Sequence, residues 1–282
     1  MGTLYLVRHG QASFGAEDYD VLSPLGHKQA LRLGEYFKNR DITFDAALTG
    51  TLQRQISTFA GICEGMNVEM PQPYIAACSD GPPLTSSAPS RLTPAAPNLL
   101  EQVWTGTRSE ASGERRPARS SAVHAVTSVG AYTTWAGLNE YDSHAVIATV
   151  HAGKLERPES PEQYRHHFRL LKDGLKQWMD GVVSPHGMPS YSDFVLGVTG
   201  ALDHVRKTCE GNVLLVSSGG PISTAVGHIL GCSPEATIEL NLRIRNASVT
   251  EFAFTPKRHM LVTYNTLPHL DPPEYRDWVT YA

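Results

Sequence analysis

The 282-residue chain has few cysteines, and they do not occur in pairs. No CxxC spacing is present, so the sequence offers neither a disulfide framework nor a cysteine zinc site. We therefore expect reduced thiols and no bound metal. The cysteines are Cys63, Cys78, Cys209 and Cys232.

The chain also lacks long apolar runs and basic blocks. No run approaches the roughly 18 apolar residues that a membrane-spanning helix needs, so no membrane partner is expected. Met1 leads almost directly into an apolar run, without the features of a signal peptide. The net charge is −4, which argues against a nucleic-acid surface. These absences predict a cytoplasmic protein.

Lysine is missing over a long interval, from Lys38 to Lys154. Within it, residues 71–134 are rich in proline, serine, alanine and threonine, and they show no sustained helical or strand periodicity. A loop of this length inside a compact domain is unusual. We interpret 1–282 as a single domain that is interrupted by a mostly mobile insertion at 71–134. A locally shifted reading frame is another origin for such a composition.

What the chain does have is a short apolar strand followed at once by polar residues. Residues 3–10 read TLYLVRHG, so a buried strand would end in Arg8, His9 and Gly10. Ligands of open α/β sheets bind at the carboxyl ends of the strands. Arginine binds phosphate oxygens and histidine can act as a nucleophile, which predicts phosphoryl chemistry here. An exposed pair at a strand end is the alternative, and we expect Gly10 to permit a sharp turn.

A second apolar run, Val213–Val216, ends in a turn that contains Gly219 and opens a helix. The free amides at that helix start would form an anion site. Serine–proline pairs at 23–24 and 160–161 are typical of helix starts. Alternating strands and helices predict an α/β fold with helices on both sheet faces. We expect helices near 24–39, 52–65, 161–178, 191–209 and 221–230, and further strands near 46–48, 247–254 and 259–264.

Five motifs in this order resemble the histidine phosphatase superfamily, which is also called the phosphoglycerate mutase-like fold. They are LVRHG, LSPLGHKQA, TLQRQISTF around Arg54, LNEYD around Glu140, and VSSGGPIS on the later strand. The resemblance covers nearly everything outside 71–134. It implies a three-layer α/β/α sandwich with a mostly parallel central sheet.

The resemblance also implies roles for individual residues. His9 would be the nucleophile that becomes phosphorylated, Arg8 and Arg54 would bind the phosphoryl oxygens, and Glu140 would be the general acid. His9 must attack as neutral imidazole, so its second nitrogen should donate to a backbone carbonyl. Glu140 must hold its proton near neutral pH, which requires burial or a nearby anion.

One position departs from the family pattern, because Ser218 stands where the family usually has a second histidine. A serine hydroxyl donates one hydrogen bond but brings no positive charge. Activity is therefore either low or sustained by Ser218 together with the Gly219 amide. If the pocket has kept its shape, Ser218→His should raise turnover by about ten-fold or more. His144 is a candidate substitute, and Gln11 and Ser13 are candidate substrate contacts.

The leading functional prediction is a cofactor-independent phosphatase that acts on a phosphorylated small molecule or phosphoprotein. A phosphoglycerate mutase-like phosphotransferase is an alternative, although the stretch QASFGAEDYD after the first motif is acidic. A degenerate protein that binds phosphorylated ligands without turnover is the third possibility, and the oligomeric state is left open. The other helical histidines are expected to be structural or exposed: His27, His166, His167 and His228.

Overall fold

A seven-stranded sheet organises the part of the chain that our computed structural model describes, residues 1–13, 20–74, 132–153, 158 and 160–281. The strands are β1 (Gly2–Arg8), β2 (Ala46–Thr49), β3 (Pro73–Tyr74), β4 (Tyr132–Thr134), β5 (Asn212–Ser217), β6 (Val249–Thr255) and β7 (Arg258–Thr266). Their order across the sheet is β3-β4-β2-β5-β1-β6-β7. The pairs from β3 to β1 are parallel, whereas β6 and β7 join antiparallel.

Helices cover both faces of this sheet. They are α1 (Pro24–Asn39), α2 (Gln53–Met66), α3 (Ser143–Ala148), α4 (Pro161–Met179), α5 (Tyr191–Thr208), α6 (Gly219–Leu230) and α7 (Pro234–Leu242). Leu4 and Leu6 of β1 pack in one core with α3 to α7, and Val7 packs in the other with α1 and α2. The predicted three-layer α/β/α sandwich with a mostly parallel sheet is therefore confirmed.

The serine–proline signals mark real helix starts. The Ser23 hydroxyl accepts a hydrogen bond from Gly26 N at 3.0 Å at the beginning of α1. Ser160 forms a reciprocal capping box with Gln163 at the beginning of α4. These side chains satisfy amides that have no partner within the first helical turn. The predicted helix starts at residues 24 and 161 agree with the structure.

The two ends of the predicted insertion at 71–134 belong to the sheet. Pro73 pairs with Tyr132, so β3 and β4 close one edge of the sheet in parallel. Both strands are too short to show a periodicity in the sequence. The rest of the insertion lies outside the described residues, and its mobility stays a prediction.

The register between β1 and β5 brings their carboxyl ends together. Arg8 pairs with Ser217, and His9 and Ser218 are the residues that directly follow on the two strands. Side chains alternate between the faces of a strand. Arg8 therefore follows Leu4 and Leu6 toward the α6 side, whereas His9 and Ser218 turn toward α2.

The cysteines of the described residues are free thiols. Cys63 is buried in α2, and its burial raises the pKa of the thiol to about 12. Cys209 and Cys232 are partly exposed, and Cys78 lies outside the described residues. None of the helices that the structure describes is both long and apolar enough to cross a membrane.

Candidate active site

The end of β1 is held on both sides by backbone hydrogen bonds. His9 N donates to Ser217 O at 2.9 Å, and His9 O accepts from Ala247 N at 3.2 Å. Arg8 is buried and donates from Nη1 to Ile244 O at 2.6 Å. His9 is buried as well, so the alternative of an exposed Arg–His pair does not apply.

Gly10 is required for a reason other than the predicted sharp turn. Its backbone has no positive φ, so other residues could adopt this conformation. A Cβ at Gly10 would lie 2.5 Å from Gly26 O, a distance that no side chain tolerates. The glycine allows the segment after β1 to pack directly on the first turn of α1.

The hydrogen bonds of His9 define its tautomer. Nδ1 lies 2.7 Å from Gly10 O, which can only accept, so Nδ1 carries the proton. Nε2 lies 3.2 Å from Arg54 Nε, which can only donate, so Nε2 presents its lone pair. Burial, followed by the charges of Arg8 and Arg54, lowers the pKa of His9 well below its ordinary value. His9 is therefore a neutral imidazole whose Nε2 lone pair faces a guanidinium.

Asp20 holds the guanidinium of Arg54 from the other side. Its Oδ1 accepts from Arg54 Nη1 at 2.8 Å, and its Oδ2 accepts from Gln53 N at 2.8 Å. The carboxylate thereby joins the first turn of α2 to the loop after β1 and orients Arg54 Nε toward His9. Sequence reasoning did not single out Asp20, although the acidic stretch 11–20 was the available signal.

The segment that carries Glu140 is anchored to the end of β2. Trp135 N donates to Thr49 O at 2.8 Å. The Asn139 side chain forms two hydrogen bonds with Thr51, accepting from its amide at 2.7 Å and donating to its hydroxyl at 2.6 Å. Glu140 follows directly, so it lies at the carboxyl ends of the parallel strands, as His9 does.

The carboxylate of Glu140 caps the first turn of α6. Both of its oxygens lie 3.1 Å from Gly220 N, and Oε1 also accepts from Tyr141 N at 3.2 Å. A Cβ at Gly220 would lie 2.2 Å from Glu140 Oε1, so glycine is needed for this contact. The free amides at this helix start were predicted to bind an anion. The Gly220 amide instead donates to the carboxylate of Glu140.

Burial raises the pKa of Glu140 above its ordinary value. The hydrogen bond from Gly220 and the charges of Arg8 and Arg54 oppose that rise. A phosphoryl dianion between the arginines would offset their charges and would favour the protonated carboxyl further. The arrangement can therefore supply a proton to a group that leaves the phosphoryl site.

Ser218 and Gly219 also lie at the carboxyl ends of the parallel strands, directly after β5. Ser218 is fully buried, and its hydroxyl accepts from Gln55 Nε2 at 2.9 Å. Gly219 begins α6, so its amide has no acceptor within the helix. A Cβ on Gly219 would lie 3.7 Å from Arg8 Nε, so the residue itself is close to the arginine side chain. Gln55 was not identified from the sequence, although it directly follows Arg54.

The weaker sequence candidates are placed differently. Gln11 accepts from the Ser23 hydroxyl at 2.8 Å through its side-chain oxygen and so supports the start of α1. Ser13 N donates to Val21 O at 2.8 Å. For both residues, contact with substrate stays a prediction. His144 is exposed on α3. His27, His166 and His228 are exposed and His167 is partly buried.

The described residues contain no group of three or more histidine, cysteine or acidic side chains that could hold a metal ion. The site instead brings together a neutral imidazole, two guanidinium groups, a carboxyl with a raised pKa and a helix start. Guanidinium groups bind phosphate oxygens bidentately and offset the charge of a transferring phosphoryl group.

The chain matches the family model of the histidine phosphatase superfamily (branch 1) over residues 4–73 and 126–267. The match therefore leaves out residues 74–125, which lie within the predicted insertion.

Solved structures share the fold at low sequence identity. Phosphoserine phosphatase from Entamoeba histolytica, in complex with 3-phosphoglyceric acid, is 17% identical, with a TM-score of 0.53 over 96% of this chain and 100% of that one. Phosphoglycerate mutase from Bacillus anthracis is 16% identical, with a TM-score of 0.53 over 95% and 94%. A mycobacterial glucosyl-3-phosphoglycerate phosphatase, in complex with VO3, is 16% identical, with a TM-score of 0.53 over 94% and 100%.

Proposed function

The chain belongs to the histidine phosphatase superfamily, and on that premise we propose that it hydrolyses phosphomonoesters through a phosphohistidine at His9, without a cofactor. The observation that carries this proposal is the state of His9. Its proton is held on Nδ1 by Gly10 O, and its Nε2 lone pair faces Arg54. A buried neutral imidazole beside two arginines is the arrangement that phosphoryl transfer to nitrogen needs.

In the first step, the Nε2 lone pair of His9 forms a bond to phosphorus. A phosphoryl oxygen takes over the hydrogen bond that Arg54 Nε now gives to Nε2. The bond between phosphorus and the ester oxygen breaks, and its electron pair stays on that oxygen. The Glu140 carboxyl transfers its proton to this oxygen, so the product leaves as a neutral alcohol.

In the second step, a water molecule attacks phosphorus opposite His9. The Glu140 carboxylate takes a proton from this water, and the electron pair of the P–N bond returns to Nε2. The products of both steps are one alcohol and one inorganic phosphate for each ester and water consumed. Arg8, Arg54 and the Gly219 amide stabilise the charge on the phosphoryl oxygens in each step.

The substrate we propose is a phosphorylated small molecule or a phosphoprotein. Two structural relatives bear the names phosphoserine phosphatase and glucosyl-3-phosphoglycerate phosphatase, and one of them is seen with 3-phosphoglyceric acid. Mutase chemistry is the weaker candidate for this chain. Asp20 Oδ1 lies 2.8 Å from Arg54 Nη1. A mutase would have to retain a substrate with a second anionic group beside the phosphoryl group, and the charge of Asp20 would repel that group.

A direct test is hydrolysis of p-nitrophenyl phosphate, measured beside the binding of inorganic phosphate. We expect release of one phosphate for each nitrophenol formed and no requirement for an added cofactor or metal. A protein that binds phosphate but forms no nitrophenol would be a binder of phosphorylated ligands, and the proposed hydrolysis would be wrong.

Replacing Arg54 by lysine should weaken catalysis although the positive charge is kept. Lysine lacks the planar fork whose separate Nε and Nη1 donate to His9 and Asp20, so it cannot reproduce these two hydrogen bonds in the same directions. We expect kcat/KM for p-nitrophenyl phosphate to fall by about 10²-fold. Arg165→Lys on the exposed part of α4 is the matched control and should leave kcat/KM unchanged. Equal activity of both variants would contradict the role of Arg54.

A further inference from the structure

Ser218 follows β5 at the start of α6, yet its hydroxyl is not used as a helix cap. Serine at this position usually accepts a hydrogen bond from an amide of the first turn. The Ser218 side chain makes no such bond, and the Gly220 amide is bound by Glu140 instead. A capping role therefore does not explain the serine.

The amide of Gln55 decides which way the Ser218 hydroxyl points. Gln55 Oε1 accepts from Leu52 N at 3.2 Å, and Nε2 donates to Leu138 O at 2.9 Å. A backbone amide can only donate and a backbone carbonyl can only accept, so the side-chain amide has one possible orientation. Its second Nε2 hydrogen then points at Ser218 Oγ, 2.9 Å away. Ser218 is obliged to accept from Gln55.

Because the Ser218 hydroxyl oxygen accepts from Gln55, its own proton can be donated to another group. Within the described part of the chain, Ser218 Oγ makes no hydrogen bond other than the one from Gln55. The side chain is fully buried and turns to the same face as His9, its neighbour in register. A phosphoryl group bound to His9 Nε2 would therefore lie beside this proton.

A similar arrangement, in which a glutamine amide donates to a hydroxyl and the hydroxyl donates to an acceptor, occurs at Gln29. Gln29 is also fully buried, accepts from a backbone amide, and donates from Nε2 to a carbonyl and to the Thr280 hydroxyl. Thr280 then donates its proton to Asn246 Oδ1 at 3.0 Å. A glutamine amide thus fixes the direction of a hydroxyl at both Thr280 and Ser218.

We propose that Gln55 is a positioning residue that turns the Ser218 hydroxyl into a fixed donor to a phosphoryl oxygen. This inference rests on the proposed phosphatase function. The pair of Gln55 and Ser218 replaces a charged imidazole by a neutral donor, which needs no protonation to act. Ser218 then contributes a hydrogen bond to the phosphoryl group, although it stands in place of the family histidine.

The expectation that Ser218→His raises turnover is revised accordingly. It required room for an imidazole at position 218, but the Gln55 amide lies 2.9 Å from Ser218 Oγ. Packing there is tight, since a Cβ at Gly50 would lie 1.9 Å from Gln55 Oε1. An imidazole at position 218 would displace Gln55, so we expect this variant to be less active than the wild type.

The test is a cycle of Gln55→Met, Ser218→Ala and the double variant, with p-nitrophenyl phosphate as substrate. Methionine keeps the length of glutamine but cannot orient a hydroxyl. We expect each single variant to lower kcat by about ten-fold or more with KM nearly unchanged, since the donor acts mainly in the transition state. The double variant should be no worse than Ser218→Ala alone. Independent, multiplying effects would contradict a positioning role for Gln55.

Gln29→Met is the matched control, because it removes the same three kinds of buried hydrogen bond. Both glutamine variants should lower the melting temperature to a similar extent, whereas only Gln55→Met should lower kcat by about ten-fold. If Gln29→Met lowered kcat equally, the effect would be one of stability and the proposal would be wrong.

Binding of orthovanadate separates this inference from the proposed function, because it requires no turnover. We expect Ser218→Ala and Gln55→Met each to weaken binding by about ten-fold, and Gln29→Met by less than about three-fold. Strong vanadate binding without ester hydrolysis would contradict the phosphatase proposal alone. Equal affinity of all variants and the wild type would contradict the role of Gln55 and Ser218 alone.

Discussion

Replacing His9 by alanine should lower the hydrolysis of phosphomonoesters by about 10⁴-fold or more, because the covalent route is lost. Water would then have to attack the ester directly, without the Nε2 lone pair that now faces Arg54. Acid-labile radioactive label from a ³²P-substrate should appear on the wild-type protein and be absent from the variant. Inorganic phosphate should still bind within a few-fold, since Arg8 and Arg54 remain.

His27→Ala is the matched control for this experiment. His27 lies on the exposed face of α1, so its loss should change neither turnover nor labelling. A His9→Ala variant with wild-type turnover would contradict the phosphohistidine route. If the variant stayed inactive but the wild-type protein never carried label, direct attack by water would replace covalent transfer as the mechanism.

Most helices and strands of the described residues could be predicted from the sequence, because local signals and burial agree there. β1 and β5 are apolar runs that end in polar residues, and α1 and α4 begin at serine–proline pairs. The same pair precedes α7 at Ser233–Pro234, but that nine-residue helix was not predicted. Its apolar residues form no clear stripe. The two strands β3 and β4 have too few residues for a pattern, and their pairing depends on tertiary contacts.

The candidate site could likewise be predicted only in part. Arg8, His9, Arg54 and Glu140 could be proposed from the sequence because each lies in a motif that resembles the superfamily. Gln55 could not, because its role depends on where α2 places its side chain relative to Ser218.

The contact between Glu140 and Gly220 was likewise not predictable from the chain order. It joins residues 80 positions apart, and the motif around each residue gives no information about the other. Asp20 was visible only as part of an acidic stretch. Motifs thus indicate which residues are candidates for the reaction, whereas hydrogen-bond direction and pKa require the structure.

Replacing Glu140 by glutamine should affect substrates according to their leaving groups. Glutamine keeps the shape and one oxygen for the Gly220 amide, but it has no proton to give. An alkyl phosphate such as phosphoserine needs that proton, so we expect kcat/KM to fall by about 10²–10⁴-fold. p-Nitrophenolate leaves readily without a proton, and its phosphate should lose less than about ten-fold. The ratio of the two rates is the measurement.

The dependence on pH should change with the same substitution. His9 must be neutral, so activity rises with pH through the lowered pKa of His9, below its ordinary value of 6.5. Glu140 must be protonated, so activity with an alkyl phosphate falls as pH rises through the raised pKa of Glu140, above its ordinary value of 4.5. In Glu140→Gln the acidic limb should remain and the alkaline limb should disappear.

Glu64→Gln is the control for the loss of one negative charge, because the Glu64 side chain is exposed on α2. It should leave both the leaving-group ratio and the pH profile unchanged. An equal loss with both substrates in Glu140→Gln would show that Glu140 acts by holding the start of α6 through Gly220, not by giving a proton. The alkaline limb would then persist in the variant, and the general acid would have to be sought elsewhere at this edge of the sheet.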